Sequence, residues 1–241
     1  MISFTPIKPI ITSVNPEDSR KLCSFVVPQN KIGELHIDMK PSQSGYGYTF
    51  ITELRNRFRK LLGYEEFAFF EGTKDISGLY IKVDDEYQRR GYNLGEILRL
   101  SSIIGILENK VKNFNIVSKD TAIYFHSKYK FQPNVATFYE RNNLLETVAN
   151  NKSAGFEEFT ERAKKLLDEI SLSGNAEEQR KHTQETNKLL SEYITKVLNN
   201  KEQKQHKFNF AMGMTLTDEN ILKNKEFFNE LFKKHGIDYN I

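Results

Sequence analysis

The sequence contains very little cysteine and no long apolar run. Cys23 is the only cysteine among 241 residues, which excludes a disulfide within the chain and any zinc site built from paired cysteines. So little cysteine favours a reducing compartment, and we expect a cytoplasmic protein. The longest apolar stretch, around Ser102–Leu107, is far shorter than the roughly 18 residues that a membrane span needs. The first residues also lack the basic region and apolar core of a signal peptide, so we expect a soluble protein.

A strong excess of one charge is also missing. The formal net charge is +3 with 28% charged residues, so the composition does not favour nucleic acid or a membrane as partner. The basic run Arg55–Lys60 is interpreted as a solvated helix face, with a contact to an acidic substrate or to RNA as the weaker alternative. Hydrophobic residues at 38% and aromatic residues at 12% are enough for a packed core, which argues against a disordered chain.

The first 145 residues contain patterns typical of both strands and helices. Four stretches are predicted as strands: 31–38, 66–71, 78–83 and 114–117. Apolar residues at helical spacing predict one helix over 50–62 and a longer one over about 92–112. Residues 78–117 therefore form a predicted βαβ unit with locally parallel strands. Ligands tend to bind at the carboxyl ends of such strands.

Behind residue 145 the pattern becomes helical. Apolar stripes predict helices over 156–170, over 189–198, and from near Thr217–Asp218 to Gly236. We therefore predict a first domain at 1–145 and an all-helical extension or bundle at 146–241. A stripe shows only that a helix buries one face. The extension could pack on the domain, cover a substrate cleft, or form a partner or dimer surface.

The segment from Val83 to Gly95 carries the clearest chemical signal. A predicted strand runs into a polar turn and then into a helix with glycine at its start. Backbone N–H groups at a helix N-terminus, together with the positive end of the helix dipole, suit a diphosphate. Gly91 allows close approach of the backbone, while Arg89 and Arg90 add positive charge. Ordinary helix capping and a solvated arginine pair are the structural alternatives.

Two motifs in this region resemble those of one enzyme superfamily. The turn Gln88–Asn93 resembles the Q/R-x-x-G-x-G/A acetyl-CoA signature of the GNAT superfamily of N-acetyltransferases, with Asn93 where Gly or Ala is usual. Residues 122–131 look like the superfamily's second landmark, a helix of the form A-x-x-x-Y-x-x-x-G-F. Ala122 and Phe131 match that form, whereas His126 stands at the tyrosine and Lys130 at the glycine. The resemblance covers about residues 20–135 and is specific over 78–131.

The resemblance implies a fold, a cosubstrate and a binding mode. The fold is α/β (α+β), with a mixed, mostly antiparallel sheet, a splayed central parallel pair, and flanking helices. Acetyl-CoA is the implied acetyl donor, and its pantetheine arm would run beside Ile81, Lys82 and Val83. The turn and helix start that would bind the rest of the cofactor comprise Gln88, Arg89, Arg90, Gly91, Tyr92, Asn93, Leu94 and Gly95. An amine would attack the thioester directly, so neither a metal nor a covalent enzyme intermediate is expected.

The resemblance also implies candidate acid and base residues. His126 is the candidate acid for the departing thiolate, because an imidazolium with a pKa near ~6.5 can donate a proton at neutral pH. Tyr124 is the alternative acid, as a phenol with a pKa near ~10. Glu71, at the end of an aromatic strand, is the candidate base, and ordered water is its alternative. Each side chain also has a structural interpretation as a packed or solvated residue.

The acceptor amine is not encoded in these motifs. A protein amine is slightly favoured over a small molecule, on the evidence of the helical extension alone. The rival interpretation is a catalytically silent acyl-CoA-binding or interaction module, since Asn93, His126 and Lys130 all depart from the superfamily pattern. Such a module would bind CoA but would release no free thiol with any amine.

Overall fold

The computed structural model describes residues 10–11, 23–42, 49–70, 72–120, 122–169, 175–200 and 207–241. These residues fall into two compact units. The first contains the described residues up to Asn115 together with Thr217–Ile241, and the second contains those of Ile116–Leu216. Within the described ranges, no helix is both long and apolar enough to cross a membrane.

The first unit is built on a sheet whose strands follow one another in chain order. The strands are β1 (Ile10–Ile11), β2 (Cys23–Asn30), β3 (Gly33–Ser42), β4 (Thr49–Asn56), β5 (Leu61–Phe70) and β6 (Asp75–Val83). Each strand pairs antiparallel with the next. The strands predicted over 31–38, 66–71 and 78–83 overlap β3, β5 and β6, whereas β2 and β4 were not predicted.

The helix predicted over 50–62 is wrong, because these residues form the β4–β5 hairpin. Phe50, Thr52 and Leu54 are buried while the residues between them are partly exposed, which is the period of a strand. The alternation is hidden in the sequence because one of the buried positions is a threonine. The Asn56 side chain closes the turn by accepting hydrogen bonds from the backbone N–H groups of Phe58 and Lys60. The basic run Arg55–Lys60 therefore lies at the tip of a hairpin.

The predicted βαβ unit is present after β5. Helix α1 (Leu94–Glu108) follows β6 and leads into β7 (Asn113–Ser118), whose first residues belong to this unit. The backbone N–H of Lys112 donates to the carbonyl of Lys74 at 2.9 Å, and the Asn113 amide donates to Asp75 at 2.8 Å. Since the two strands begin side by side, they run parallel. This mixed, mostly antiparallel sheet with a parallel pair and flanking helices confirms the predicted fold class.

Helix α1 covers one face of the sheet in the first unit. The core on that face consists of buried apolar side chains, among them Phe25, Val27, Leu35, Ile37, Met39, Phe50 and Leu54. Packing is tight, since a methyl group added at Gly105 would lie 2.9 Å from Cε of Met39. The Glu65 and Arg99 side chains are each 1% exposed and form an ion pair at 2.7 Å between sheet and helix. The Ser102 hydroxyl donates to the second oxygen of Glu65.

The last helices of the chain return to the first unit. They are α6 (Asp218–Lys223) and α7 (Lys225–Lys234), separated at Asn224, and they correspond to the helix predicted from Thr217–Asp218 to Gly236. Glu96, in the first turn of α1, accepts hydrogen bonds from Lys234 and His235. Glu108, at the other end of α1, accepts one from the Tyr239 hydroxyl at 2.7 Å. The C-terminal residues are thereby fastened to both ends of α1.

The second unit is mainly helical. Its elements are α2 (Ala122–Lys128), β8 (Gln132–Pro133), α3 (Phe138–Ala149), α4 (Glu157–Glu169), α5 (Ala176–Asn199) and β9 (Met212–Thr217, ending in the first unit). Helices α4 and α5 confirm the predictions over 156–170 and 189–198, although α5 starts earlier at a capping box formed by Asn175 and Glu178. Helix α3 and strand β9 were not predicted.

Candidate functional site

The turn between β6 and α1 is held in shape by its own side chains. The Asp84 carboxylate accepts a hydrogen bond from the backbone N–H of Glu86, which starts a short 3₁₀ turn over Asp85–Tyr87. The Gln88 amide donates to the carbonyl of Val83 at 2.8 Å and to Asp85 at 2.7 Å. The signature glutamine therefore ties the end of β6 to the turn, which fixes where the following loop begins.

The loop that follows takes left-handed backbone conformations at alternate residues. The φ angles of Arg89, Gly91 and Asn93 are 57°, 70° and 57°. Glycine adopts this conformation without penalty, and asparagine is one of the few other residues that tolerate it. Asn93 can therefore adopt the left-handed backbone conformation that this turn has in the chain.

The start of α1 presents donors and positive charge. Asn93 precedes α1 without capping it through its side chain, and the backbone N–H groups of Leu94 and Gly95 have no acceptor among the described residues. Arg89 and Arg90 are exposed and form no ion pair with any described residue. Leu94 is buried and anchors the helix start in the core. Free N–H groups at a helix N-terminus beside arginines can bind a diphosphate.

A second turn, between β2 and β3, contacts this loop. The Asn30 side chain donates to the carbonyl of Tyr92 at 2.8 Å. A Cβ atom placed on Gly91 would lie 3.4 Å from Nζ of Lys31, so this lysine stands beside the loop. Lys31 was not among the predicted site residues, because its place beside the loop depends on contacts between distant segments, such as that of Asn30 with Tyr92, which are 62 positions apart. It adds a third positive charge beside Arg89 and Arg90.

Strand β6 contains an irregularity next to the predicted pantetheine segment. Glu66 pairs with Tyr80 and Phe67 pairs with Gly78, so Leu79 is the extra residue of a β-bulge. Within the predicted pantetheine segment, Ile81 and Val83 are half-buried and Lys82 is exposed. A bulge leaves backbone groups outside the regular ladder, and such sites are common next to active sites. No pattern in the sequence predicts this bulge.

The predicted acid candidates lie in the second unit, on α2. The His126 ring is buried, with ring centroids 5.1 Å from Phe125 and 5.6 Å from Phe131. Tyr124 is 1% exposed and stands 6.0 Å from the Phe208 ring. Burial raises the pKa of the Tyr124 phenol above its usual value, so this side chain stays protonated at neutral pH. Lys130, at the glycine position of the second landmark, has a φ of 67°.

The remaining predicted groups are the base and the cofactor residues. Glu71, the candidate base, lies outside the described residues. The predicted cofactor residues from Ile81 to Gly95 all belong to the first unit, whereas His126 and Tyr124 belong to the second. Across the described ranges, no three His, Cys, Asp or Glu side chains are grouped so that they could hold a metal ion.

Comparison with known proteins gives partial structural likenesses. No family model and no curated protein sequence matches the chain. A GNAT family acetyltransferase from Staphylococcus aureus is 18% identical over 36% of this chain and 54% of its own, with a TM-score of 0.32. The chain thus spans about half the length of that structure. A GNAT family acetyltransferase from Elizabethkingia anophelis with acetyl-CoA bound is 13% identical over 43% and 82%, with a TM-score of 0.34.

A third structure resembles more of the chain. The spermidine/spermine N-acetyltransferase of Vibrio cholerae is 9% identical over 73% of this chain and 69% of its own, with a TM-score of 0.38. All three TM-scores are below 0.5.

Proposed function

We propose that this chain is an N-acetyltransferase that transfers the acetyl group of acetyl-CoA to an amine within a ternary complex. The observation that carries the proposal is the Gln88–Asn93 turn. It joins a strand to a helix, as the signature requires, and it has left-handed backbone at Gly91 and at Asn93, the fourth and sixth positions of the signature.

The cofactor would be held by the first unit. The diphosphate would accept hydrogen bonds from the backbone N–H groups at the start of α1 and be neutralised by Arg89, Arg90 and Lys31. The pantetheine arm would lie along the backbone of Ile81–Val83. The exposed loop and the buried Leu94 support this assignment, because the loop is open to a ligand while the helix behind it is fixed.

When bound, the thioester would supply an acetyl group activated for attack by an amine. The amine nitrogen forms a bond to the carbonyl carbon, the carbon–sulfur bond breaks, and its electron pair leaves with the thiol sulfur. The nitrogen loses a proton and the sulfur gains one, so the products are an N-acetyl amine and CoA. Backbone N–H groups released by the bulge at Leu79 could stabilise charge on the carbonyl oxygen. We propose His126 or Tyr124 as the acid and Glu71 as the base.

The transfer reaction is tested by following free thiol while acetyl-CoA is incubated with the protein and one of three amines. The probes are n-butylamine, a peptide with a lysine side chain, and a peptide whose only amine is its α-amino group. We expect thiol release above the rate without protein for at least one probe, with the acetylated amine identified by mass. Tight acetyl-CoA binding without thiol release from any probe would instead indicate the silent acyl-CoA-binding module.

A further inference from the structure

The sheet of the first unit carries charged and aromatic side chains on the face opposite α1. Because side chains alternate along a strand, the neighbours Glu65 and Glu66 point to opposite faces. Glu65 is buried against α1 in its ion pair with Arg99. Glu66 is only half-buried, and Tyr80, its partner in the β5–β6 register, is 51% exposed. This pair of residues is therefore accessible from outside the molecule.

The carboxylate of Glu66 has no charged partner in the described part of the chain. Glu53, on the same face of β4, provides the contrast. Its oxygens contact Lys40 at 2.8 Å and Arg55 at 3.1 Å. Burial alone would raise the pKa of Glu53, but the hydrogen bonds and charges of these two cations outweigh it and lower the pKa overall. The Glu53 carboxylate is thus neutralised within the protein, whereas the Glu66 carboxylate can pair with a positively charged ligand.

Two tyrosine rings stand beside Glu66. Tyr64 is two residues away on the same face of β5, and its ring centroid is 5.8 Å from that of Tyr80. Directly opposed residues in a sheet have Cβ atoms roughly 5 Å apart, so Glu66 and the Tyr80 ring are close neighbours. A carboxylate next to aromatic rings is a favourable environment for an organic cation, because the rings attract the positive charge and cover the attached carbon chain.

A cleft lies next to these residues in the first unit. It has a volume of about 250 Å³, and Tyr64, Lys82, Asp84 and Asp85 are among the residues that line it, at the end of the segment predicted to hold the pantetheine arm. Tyr64 thus belongs both to this cleft and to the group it forms with Tyr80 and Glu66, which lie directly beside the bulge at Leu79.

We propose that Tyr64, Glu66 and Tyr80 form the site that binds the ammonium group of the acceptor. The identification of this cation as the acceptor rests on the proposed function, since only that function places a thioester near Leu79. The substrate class is then a primary alkylammonium compound, with at least a short carbon chain next to the nitrogen to lie against the tyrosine rings.

The test measures cation binding directly, without acetyl-CoA. The full chain with isotope-labelled tyrosine rings is titrated with n-butylammonium chloride, and with butan-1-ol and butyrate as uncharged and negatively charged analogues. Butylammonium is expected to shift the resonances of Tyr64 and Tyr80 with saturation in the millimolar range. Butyrate and butanol are expected to have at least tenfold weaker effects. Equal effects of butanol and butylammonium would overturn the proposal.

Matched variants assign the effect to individual groups. Glu66→Gln is expected to weaken butylammonium binding at least tenfold, whereas Glu53→Gln, which removes the already neutralised carboxylate, should change it less than twofold. Tyr80→Phe keeps the ring and should retain binding, while Tyr80→Leu should weaken it several-fold. Unchanged binding in Glu66→Gln would overturn the proposal, as would loss of binding in Tyr80→Phe with a folded protein.

Acetyl-CoA binding is measured on the same samples to separate the two proposals. Glu66→Gln should bind acetyl-CoA as the wild type does. Acetyl-CoA binding without butylammonium binding overturns the ammonium site alone. Butylammonium binding without acetyl-CoA binding overturns the proposed transfer function and supports a cation site with another purpose.

Discussion

At the scale of single residues, two of the positions that depart from the acetyltransferase pattern have left-handed backbone conformations. Asn93 and Lys130 both stand where the superfamily has small residues, and their φ angles are 57° and 67°. A side chain with a Cβ atom costs roughly 1–2 kcal/mol in this conformation, less for asparagine. Both residues therefore carry some conformational strain, and more of it lies at Lys130 than at Asn93.

This predicts that Lys130→Gly stabilises the protein. The expected gain is about 1 kcal/mol in the free energy of unfolding, because glycine relieves the left-handed strain. Urea denaturation followed by circular dichroism measures it. Lys128→Gly, at the end of helix α2, is the control and should lower stability, since there the same change only adds flexibility to the unfolded chain. A loss of stability in both variants would contradict the strain at Lys130.

The buried ion pair of Glu65 and Arg99 should be sensitive to the loss of one partner. Removing one partner of such a pair leaves an uncompensated charge and costs about 3–5 kcal/mol, so Arg99→Met should be strongly destabilised. The double variant Arg99→Met with Glu65→Leu should recover most of that loss. Urea midpoints of the three proteins measure the difference, and a double variant as unstable as Arg99→Met would contradict the account.

The stability that Arg99→Met loses relative to the wild type should depend on pH. Burial raises the pKa of Glu65, and Arg99 and Ser102 oppose that rise. A carboxyl with a raised folded pKa contributes stability fully below its unfolded pKa of about 4.3 and loses it as the pH rises through the folded value. Without Arg99 that pKa rises further, so Arg99→Met should lose more stability relative to wild type at pH 8 than at pH 5. Equal losses at both pH values would be the contrary result.

At the scale of elements, the local motif was predictable and its surroundings were not. The strand, turn and helix around Gln88–Asn93 follow from patterns within a short stretch of sequence. The hairpin over 50–62 does not, because Ile51, Leu54 and Phe58 fit a helical period while Phe50, Thr52 and Leu54 fit a strand. Only the pairing of β4 with β3 and β5 decides between the two. Tertiary context of this kind overrides local pattern in short segments.

The turn between β2 and β3 contacts the turn between β6 and α1. Lys31, in the β2–β3 turn, should contribute to acetyl-CoA affinity because its ammonium stands beside Gly91. Lys31→Ala is expected to weaken binding three- to tenfold at low salt and less at high salt, because an exposed charge is screened. Lys74→Ala, in an exposed turn after β5, is the control and should leave affinity unchanged. Titration calorimetry at two salt concentrations measures the acetyl-CoA affinity of both variants. If Lys31→Ala and the wild type bind acetyl-CoA equally well, Lys31 is not part of the site.

At the scale of the whole molecule, the compact units do not follow the order of the chain. The amphipathic stripes behind residue 145 predict helices, but they do not show that residues 217–241 join the first unit. That association depends on contacts such as Glu96 with His235, which are 139 positions apart. The sequence alone does not predict the proposed binding site of the acceptor ammonium group, for the same reason. Tyr64, Glu66 and Tyr80 become neighbours only through the register of β5 and β6.

The turn before α1 is the proposed binding site of acetyl-CoA. The most direct test is the melting temperature of the full chain with and without acetyl-CoA, repeated with Gly91→Glu. Gly155→Glu is the matched control, because Gly155 also has a positive φ, of 82°, with nothing near its missing Cβ.

At about 100 times its dissociation constant, a ligand that binds only the folded state adds roughly 2.7 kcal/mol of stability. We predict a clear rise in melting temperature for the wild type and for Gly155→Glu, and none for Gly91→Glu. No rise at millimolar acetyl-CoA in the wild type, or an equal rise in Gly91→Glu, would contradict the account.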